Sequence, residues 1–244
     1  SSPGSVVPPE SRGMGMVFLV RHTTLGREVA LKVLPPNFLD SPELLTRFRF
    51  EAQLMAQLKH PGIVGVIDFD QDPERGLYYT MDYIEGKTLG QHLRARGALP
   101  LPEVLAIARQ SAQALAYAHT RQPAIIHRDI SPSNIMIKQS DSSVVVMDFG
   151  IAKVMGGEGL TVGPAQGGWM GKPKYCSPEQ MRQEDLDGQA DIYSLGMVMY
   201  ELCTGQQFFA GVSTDEVIKR VRDDPSENEP EFPDQVSAAF AAIV

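Results

Sequence analysis

The apolar positions change their spacing along the chain, and the changes mark out its elements. The opening SSPGSVVPPE is rich in Ser, Pro and Gly and has little apolar periodicity, so residues 1–11 read as a linker or disordered N-terminus with room for one short strand. From Arg12 on, MVFLVRH and REVALKVL are short β-prone runs separated by TTLG, which predicts a hairpin with Gly26 in its turn. In SPELLTRFRFEAQLMAQLKHPG the period lengthens. Leu44, Leu45, Phe48, Ala52, Met55 and Leu58 recur at three and four, Ser41 suits the N-cap, Pro42 the first turn, and Pro61 with Gly62 the stop. IVGVIDFD and LYYTMDY return to strand spacing.

After IEGKTLG, strands give way to helices, which places a lobe boundary near Glu85 and Gly86: a first lobe over 12–84 and a second over 85–244. In LPEVLAIARQSAQALAYAHT, Leu101, Leu105, Ala108, Ala112, Leu115 and Ala118 predict an amphipathic helix. NIMIK and SVVVMDFG predict a pair of short strands. The Gly-rich GGEGLTVGPAQGGWMGKPK is a long loop of the functional or disordered kind. ADIYSLGMVMYELCTG is apolar on nearly all faces, as a buried helix ending at Gly205 is. STDEVIKRVRDD opens with a capping box from Ser213 to Glu216, and DDPSENEPEFPDQ reads as a solvated loop. VSAAFAAIV starts an amphipathic helix with no ending, so the second lobe is expected to be incomplete.

Composition narrows the classes of function. A chain of 244 residues, 43% of them hydrophobic, buries a real core in one large domain or two apposed lobes. The net charge of -8 argues against a general nucleic-acid or anionic-membrane binder, because such proteins draw their affinity from basic patches on phosphate. Partners are expected among proteins and small molecules. Cys176 and Cys203 are too few and too far apart for a disulfide framework or a zinc site, which points to packing roles and a reducing cytoplasm. No apolar run approaches the roughly 20 residues of a membrane span, so an anchor is expected only outside this segment.

The candidate chemistry lies in the order of short motifs: a glycine-containing turn, VALK, a glutamate on the next helix, HRD followed by an asparagine, DFG, and SPEQ. Any one of them arises by accident; together, in this order, they resemble the eukaryotic-like (Hanks-type) protein Ser/Thr kinases. REVALKVL, HPGIV, HRDISPSN and CSPEQ resemble the bacterial branch of that family. The resemblance runs from about Arg12 to the C-terminus. It implies an α+β, bilobal protein-kinase-like fold with a small β-rich lobe, a larger helical lobe and ATP between them. The activity implied is transfer of the γ-phosphate of ATP, with Mg²⁺, to Ser or Thr hydroxyls of proteins.

Residue by residue, the resemblance makes Lys32 the lysine that pairs with the α- and β-phosphates and Glu51 the acid that holds it. Standing alone, each would be an ordinary exposed charge. Asp129 becomes the base that accepts the hydroxyl proton, and Asn134 and Asp148 the oxygen donors for Mg²⁺, a hard ion that keeps several waters. His127 reads as a packing residue, and Gly150 lets the backbone turn after Asp148 and Phe149. Val17, Ala30 and Met136 would line an adenine pocket, with Met81 at the gatekeeper place and Asp82 to Ile84 offering backbone hydrogen bonds. Arg128 is placed to meet a phosphate on the activation segment. Thr161 is the candidate autophosphorylation site, because between Gly150 and Pro178 the only other aliphatic hydroxyl is Ser177 of the SPE motif. A second copy of the chain is the expected partner for that step. Glu179 resembles a glutamate that pairs with an arginine near the end of the family's domain, and Asp191 a residue that braces the catalytic loop through backbone hydrogen bonds.

Two departures from the family pattern bear on activity. In ESRGMG, Glu10 and Arg12 occupy the first two glycine places of the phosphate-covering loop and only Gly15 keeps its own, which predicts weaker ATP binding unless Arg12 reaches a phosphate. In HRDISPSN, Ser131 stands where these kinases carry a lysine, while Lys172 in GKPKYCSPEQ stands where they carry a threonine. Either Lys172 supplies the missing charge beside Asp129, or it is a solvated loop lysine. Three functions are therefore weighed: a protein kinase, a pseudokinase acting as a nucleotide-binding or scaffolding module, and a kinase-like small-molecule phosphotransferase. Intact Lys32, Asp129, Asn134 and Asp148 weigh against the second, and SPEQ with its preceding segment against the third.

Overall fold

The computed structural model describes residues 10–11, 16–33, 53, 55–72, 76–149 and 172–223. They fall into two compact units that divide between Glu85 and Gly86. Glu51, Gly15, Arg12, Gly150, Thr161 and all but the end of the helix expected after Ser41 lie outside the described residues, as do DDPSENEPEFPDQ beyond its first residue and VSAAFAAIV.

The first unit is built on a five-stranded antiparallel sheet in the order β1-β2-β3-β5-β4: β1 (Glu10–Ser11), β2 (Met16–Arg21), β3 (Glu28–Val33), β4 (Val66–Asp72) and β5 (Gly76–Asp82). The short strand allowed for near the N-terminus is thus Glu10–Ser11, paired with Val17 and Met16, which puts the last two residues of the expected linker in the sheet. The hairpin joins β2 to β3. Gly26 takes φ +67°, where a side chain would be strained, and its N–H reaches the carbonyl of His22 at 2.8 Å. Between Val66 and Asp68 the register of β4 against β5 shifts, so one extra residue is absorbed as a bulge.

The second unit carries a three-stranded ribbon, β6 (Gly86–Thr88), β7 (Ile135–Lys138) and β8 (Val144–Val146), beside the helices α1 (Leu89–Arg96), α2 (Leu101–His119), α3 (Pro178–Arg182), α4 (Gln189–Thr204) and α5 (Thr214–Asp223). α1 was not evident from apolar spacing; its signal is the capping box in TLGQ, where Thr88 and Gln91 satisfy each other's backbone N–H groups. α2 runs as expected and buries Ala108, Leu115 and Ala118 of the expected stripe, but its buried face is rotated away from Leu101, Leu105 and Ala112. Val104, Ile107, Ala108, Ser111, Ala114, Leu115 and Ala118 face inward, whereas Leu105 stays 45% exposed. The helix is apolar on two adjoining faces, and the small residues Ser111 and Ala114 mark the face that approaches α4 and β8.

α4 ends at Gly205 in the left-handed conformation, φ +72°, as its sequence predicts. Its fully buried residues lie along one face, Tyr193 and Met197 pack half-buried against the cluster that holds Met181 and Val217, and Ile192 remains exposed. At α5, Ser213 accepts the N–H of Glu216 at 3.3 Å, but the Glu216 carboxylate pairs with Arg220 at 2.8 Å, so half of the expected capping box is made. Cys176 and Cys203 are buried packing residues; Cys176 joins Met181, Phe209, Val217, Ile218 and Val221 in one apolar cluster. Among the described residues no helix is long and apolar enough to cross a membrane.

Candidate active site

In the first unit the candidate nucleotide residues are positioned by strand register. Side chains directly opposite each other across an antiparallel pair share a face. Val17 lies opposite Lys32, and Lys32 opposite Tyr79; Leu19 lies opposite Ala30, and Ala30 opposite Met81. Val17, Ala30, Lys32 and Met81 therefore stand on one face of the sheet, in two adjacent rows. Ala30 and Met81 are buried, Val17 and Lys32 half-buried. The Lys32 ammonium sits 5.8 Å from the centre of the Tyr79 ring, within reach of a cation–π attraction. Asp82 donates its N–H to the carbonyl of Gly65 at 2.9 Å, and its carboxylate accepts from Arg27 at 2.9 Å. Tyr83 is exposed and Ile84 half-buried.

In the second unit the loop His127–Asn134 is fixed by side chains from far along the chain. Asp191, at the start of α4 and fully buried, accepts the backbone N–H of His127 at 2.8 Å on one oxygen and that of Arg128 at 2.8 Å on the other. His119, from the end of α2, places Nε2 2.7 Å from the same carboxylate. Arg128 has φ +65°, an uncommon conformation that surrounding structure must impose. Its N–H is held by Asp191, and its carbonyl accepts the side-chain amide of Gln180 at 3.0 Å. Gln180 itself is held in a capping box with Ser177, so the SPEQ segment grips the loop directly.

The tautomer of His127 follows from its partners. The N–H of Asp129 donates to Nδ1 at 3.2 Å, so the proton is on Nε2, which donates to the Met147 carbonyl at 2.8 Å. Complete burial of the ring lowers its pKa and keeps it neutral, and its face meets Phe149 at 4.5 Å. His127 is thus a structural pin between Asp129 and the end of β8.

Asn134 spends both amide hydrogens on Asp129, one on the carbonyl at 2.7 Å and one on Oδ2 at 2.8 Å. That leaves its Oδ1 as the side-chain atom that could ligate a cation; it also accepts the Ser133 hydroxyl at 3.0 Å. The N–H of Met147 reaches the Asn134 carbonyl at 2.8 Å, one step beyond the Ile135–Val146 pair, so Asp148 follows at the same end of the ribbon as Asn134. Asp148 takes φ +54°. An amide oxygen and a carboxylate at one ribbon end are hard donors suited to a small divalent cation that keeps its other positions for water and phosphate. Among the described residues no three His, Cys, Asp or Glu side chains gather as a metal cage, and a cation held this way needs none. Met136, assigned to the adenine ring, lies on β7 opposite Thr88 and Val145. Lys172 places Nζ 2.8 Å from the Ser131 hydroxyl and in hydrogen-bond contact with that of Ser133.

Three of these contributors were not singled out in the sequence: Gln180, His119 and Ser133. Gln180 had a local signal, the S-x-x-Q pattern of a capping box, whereas His119 and Ser133 had none beyond their places before and within the loop.

Comparison with known proteins agrees with the geometry. The model of the protein kinase domain matches residues 12–244. Serine/threonine-protein kinase PknB of Mycolicibacterium smegmatis is 41% identical over 217 residues, covering 87% of this chain and 34% of the relative. Serine/threonine-protein kinase PknA of Mycobacterium tuberculosis is 37% identical over 229 residues, covering 92% of this chain and 52% of the relative. The chain therefore spans about a third of the length of the first and half of the second. A crystal structure of a mutant PknI kinase domain from Mycobacterium tuberculosis superposes with a TM-score of 0.67 at 32% identity, covering 90% of this chain and 81% of that one. The β-rich first unit and the mainly helical second are those of the α+β, bilobal kinase fold, and the chain belongs to the protein kinase domain family, in its bacterial Ser/Thr branch.

Proposed function

We propose that the chain is the catalytic domain of a protein Ser/Thr kinase, which moves the γ-phosphoryl group of ATP to Ser or Thr hydroxyls of proteins. The observation that supports it most is the fixing of Asp129, whose carboxylate is held at 2.8 Å by the amide of Asn134 in a loop braced by a buried Asp191. In-line phosphoryl transfer asks the protein mainly for position and charge, and this loop is built to hold position.

The substrate oxygen bonds to the γ-phosphorus as the bond from that phosphorus to the β,γ-bridging oxygen breaks; the hydroxyl proton goes to the Asp129 carboxylate, and ADP leaves. Asn134 Oδ1 and the Asp148 carboxylate would hold Mg²⁺, which when bound supplies positive charge at the phosphate oxygens. Lys32 suits the α- and β-phosphates, with Glu51 as its anchor, and the apolar Val17, Ala30, Met81 and Met136 suit the adenine ring. Gly15, with Glu10 and Arg12 at the neighbouring glycine places, makes for looser phosphate contact. A phosphate on Thr161, placed by a second copy of the chain, would find a cation in Arg128.

Incubation of the protein with γ-labelled ATP, Mg²⁺ and a generic protein substrate tests the reading. Label enters the substrate with the native chain and not with Asp148→Asn. Equal labelling by the two, or none by the native chain under conditions where it binds ATP, would contradict it and favour a scaffolding module.

A further inference from the structure

The loop around Asp129 contains no lysine, yet one has been brought to it. Lys172 comes from 41 residues further along and sets its ammonium on the hydroxyls of Ser131 and Ser133. Ser131 is fully buried, and both serines lie within four residues of Asp129. Both hydroxyls accept from the ammonium and fix where it sits.

The contacts form a connected path. Ser133 gives its one hydroxyl proton to Asn134 Oδ1 at 3.0 Å, so in its 3.2 Å contact with Ser131 it must accept. Asn134 in turn holds the Asp129 carboxylate. The ammonium, the amide assigned to the metal and the carboxylate assigned to the proton are thus linked through Ser133.

The backbone of Lys172 is anchored as well. Its carbonyl accepts the N–H of Tyr175 at 2.9 Å and the thiol of Cys176 at 3.6 Å, closing a single 3₁₀ turn over Pro173–Tyr175. Tyr175 is buried; its carbonyl accepts the Ser194 hydroxyl at 2.7 Å, and its own hydroxyl bonds to Glu201, both on α4. A flexible four-carbon stem therefore starts from a fixed point on the core of the unit and ends on a fixed pair of hydroxyls. A solvated loop lysine has neither anchor.

We infer that Lys172 is a catalytic residue that supplies, from the segment before SPEQ, the positive charge that neutralises the transferred phosphoryl group beside Asp129. The inference rests on the kinase reading above. A preorganised cation of this kind acts on the charge that develops during transfer, so its loss lowers kcat and leaves ATP affinity largely intact. It also makes catalysis depend on the placement of the Pro173–Tyr175 turn, because the charge arrives only when that turn is docked on α4.

The test compares the native protein with Lys172→Met, Lys172→Thr, Ser131→Lys and the exchange Ser131→Lys/Lys172→Thr, measuring steady-state phosphoryl transfer, ATP-analogue affinity and thermal melting. Lys172→Met and Lys172→Thr are expected to lower kcat by about 10²–10³, the scale of losing one preorganised donor, with analogue affinity changed less than about threefold. The exchange, which returns a lysine to the loop and a hydroxyl to position 172, is expected to recover at least about tenfold over Lys172→Thr. A purely structural lysine would not show that recovery. Native-like kcat in a folded Lys172→Met, or an exchange variant that melts normally and stays as slow as Lys172→Thr, overturns the inference while leaving the kinase reading standing. No transfer by the native protein overturns both.

Discussion

The sheet of the first unit and the loop of the second place functional side chains by opposite means. In the sheet, Val17, Ala30, Lys32 and Met81 share a face because backbone register sets it, and register is held by many hydrogen bonds of which no one is critical. In the loop, Asp129 and Asn134 are placed by a few side chains reaching across the unit: Asp191 on two backbone N–H groups, His119 on Asp191, Gln180 on the Arg128 carbonyl. The difference teaches where each region is fragile. A sheet built this way tolerates changes among its surface partners; a loop held in an uncommon conformation by a handful of buried polar contacts does not.

The largest expected effect breaks the loop at its base. Asp191→Ala would leave the N–H groups of His127 and Arg128 buried without their acceptor, and removing a buried charged partner costs about 3–5 kcal/mol. Urea unfolding should show that loss, and phosphoryl transfer should fall to background in the fraction that remains folded. A variant with native stability would mean that the loop holds itself.

A smaller effect reaches the same brace indirectly. A Cβ on Gly188 would come within 2.5 Å of Nδ1 of His119, whose ring is tied to Asp191 on its other side. Gly188→Ala is therefore expected to cost about 1–3 kcal/mol, the usual range for forcing a close-packed neighbour aside. Its melting temperature locates the cost in a double-mutant cycle with His119→Ala, which itself loses the bond to Asp191: adding Gly188→Ala in that background should cost almost nothing, because the clashing ring is gone.

The smallest effect belongs to the sheet. Arg27 and Asp82 form an ion pair at 2.9 Å with side chains 53% and 41% exposed, and such surface pairs contribute less than about 1 kcal/mol. Arg27→Ala should leave the urea midpoint almost unmoved. A loss as large as that at Asp191 would erase the contrast between the two regions.

The contrast also governs what could be read in advance. Strand runs, the Gly26 turn and the β7–β8 pair followed from alternation and turn residues, because they are local. The α+β kinase fold followed from the order of the motifs and the bacterial branch from the wording of REVALKVL, HPGIV, HRDISPSN and CSPEQ, and the family match and the relatives bear both out. The face of α2 was read only in part, Ala108, Leu115 and Ala118 but not Leu105, because the helix is apolar on two adjoining stripes, and packing against α4 and β8 chooses between them. The roles of Gln180 and His119 were hidden for another reason: their partners lie 52 and 72 residues away, and no spacing rule carries that distance. For Lys172 the sequence posed the choice between a cation at the loop and one in solvent, and the hydroxyls it meets are what the structure adds.

The proposed chemistry centres on Asp129 as the group that takes the hydroxyl proton. Single-turnover transfer from γ-labelled ATP to a serine-containing protein, native against Asp129→Asn, addresses it directly, because the amide keeps the size of the carboxylate and loses its basicity. Transfer should slow by at least about 10³ while ATP-analogue affinity changes less than about threefold, on the scale of losing a positioned acid–base group. A variant that transfers at a native rate would contradict the assignment.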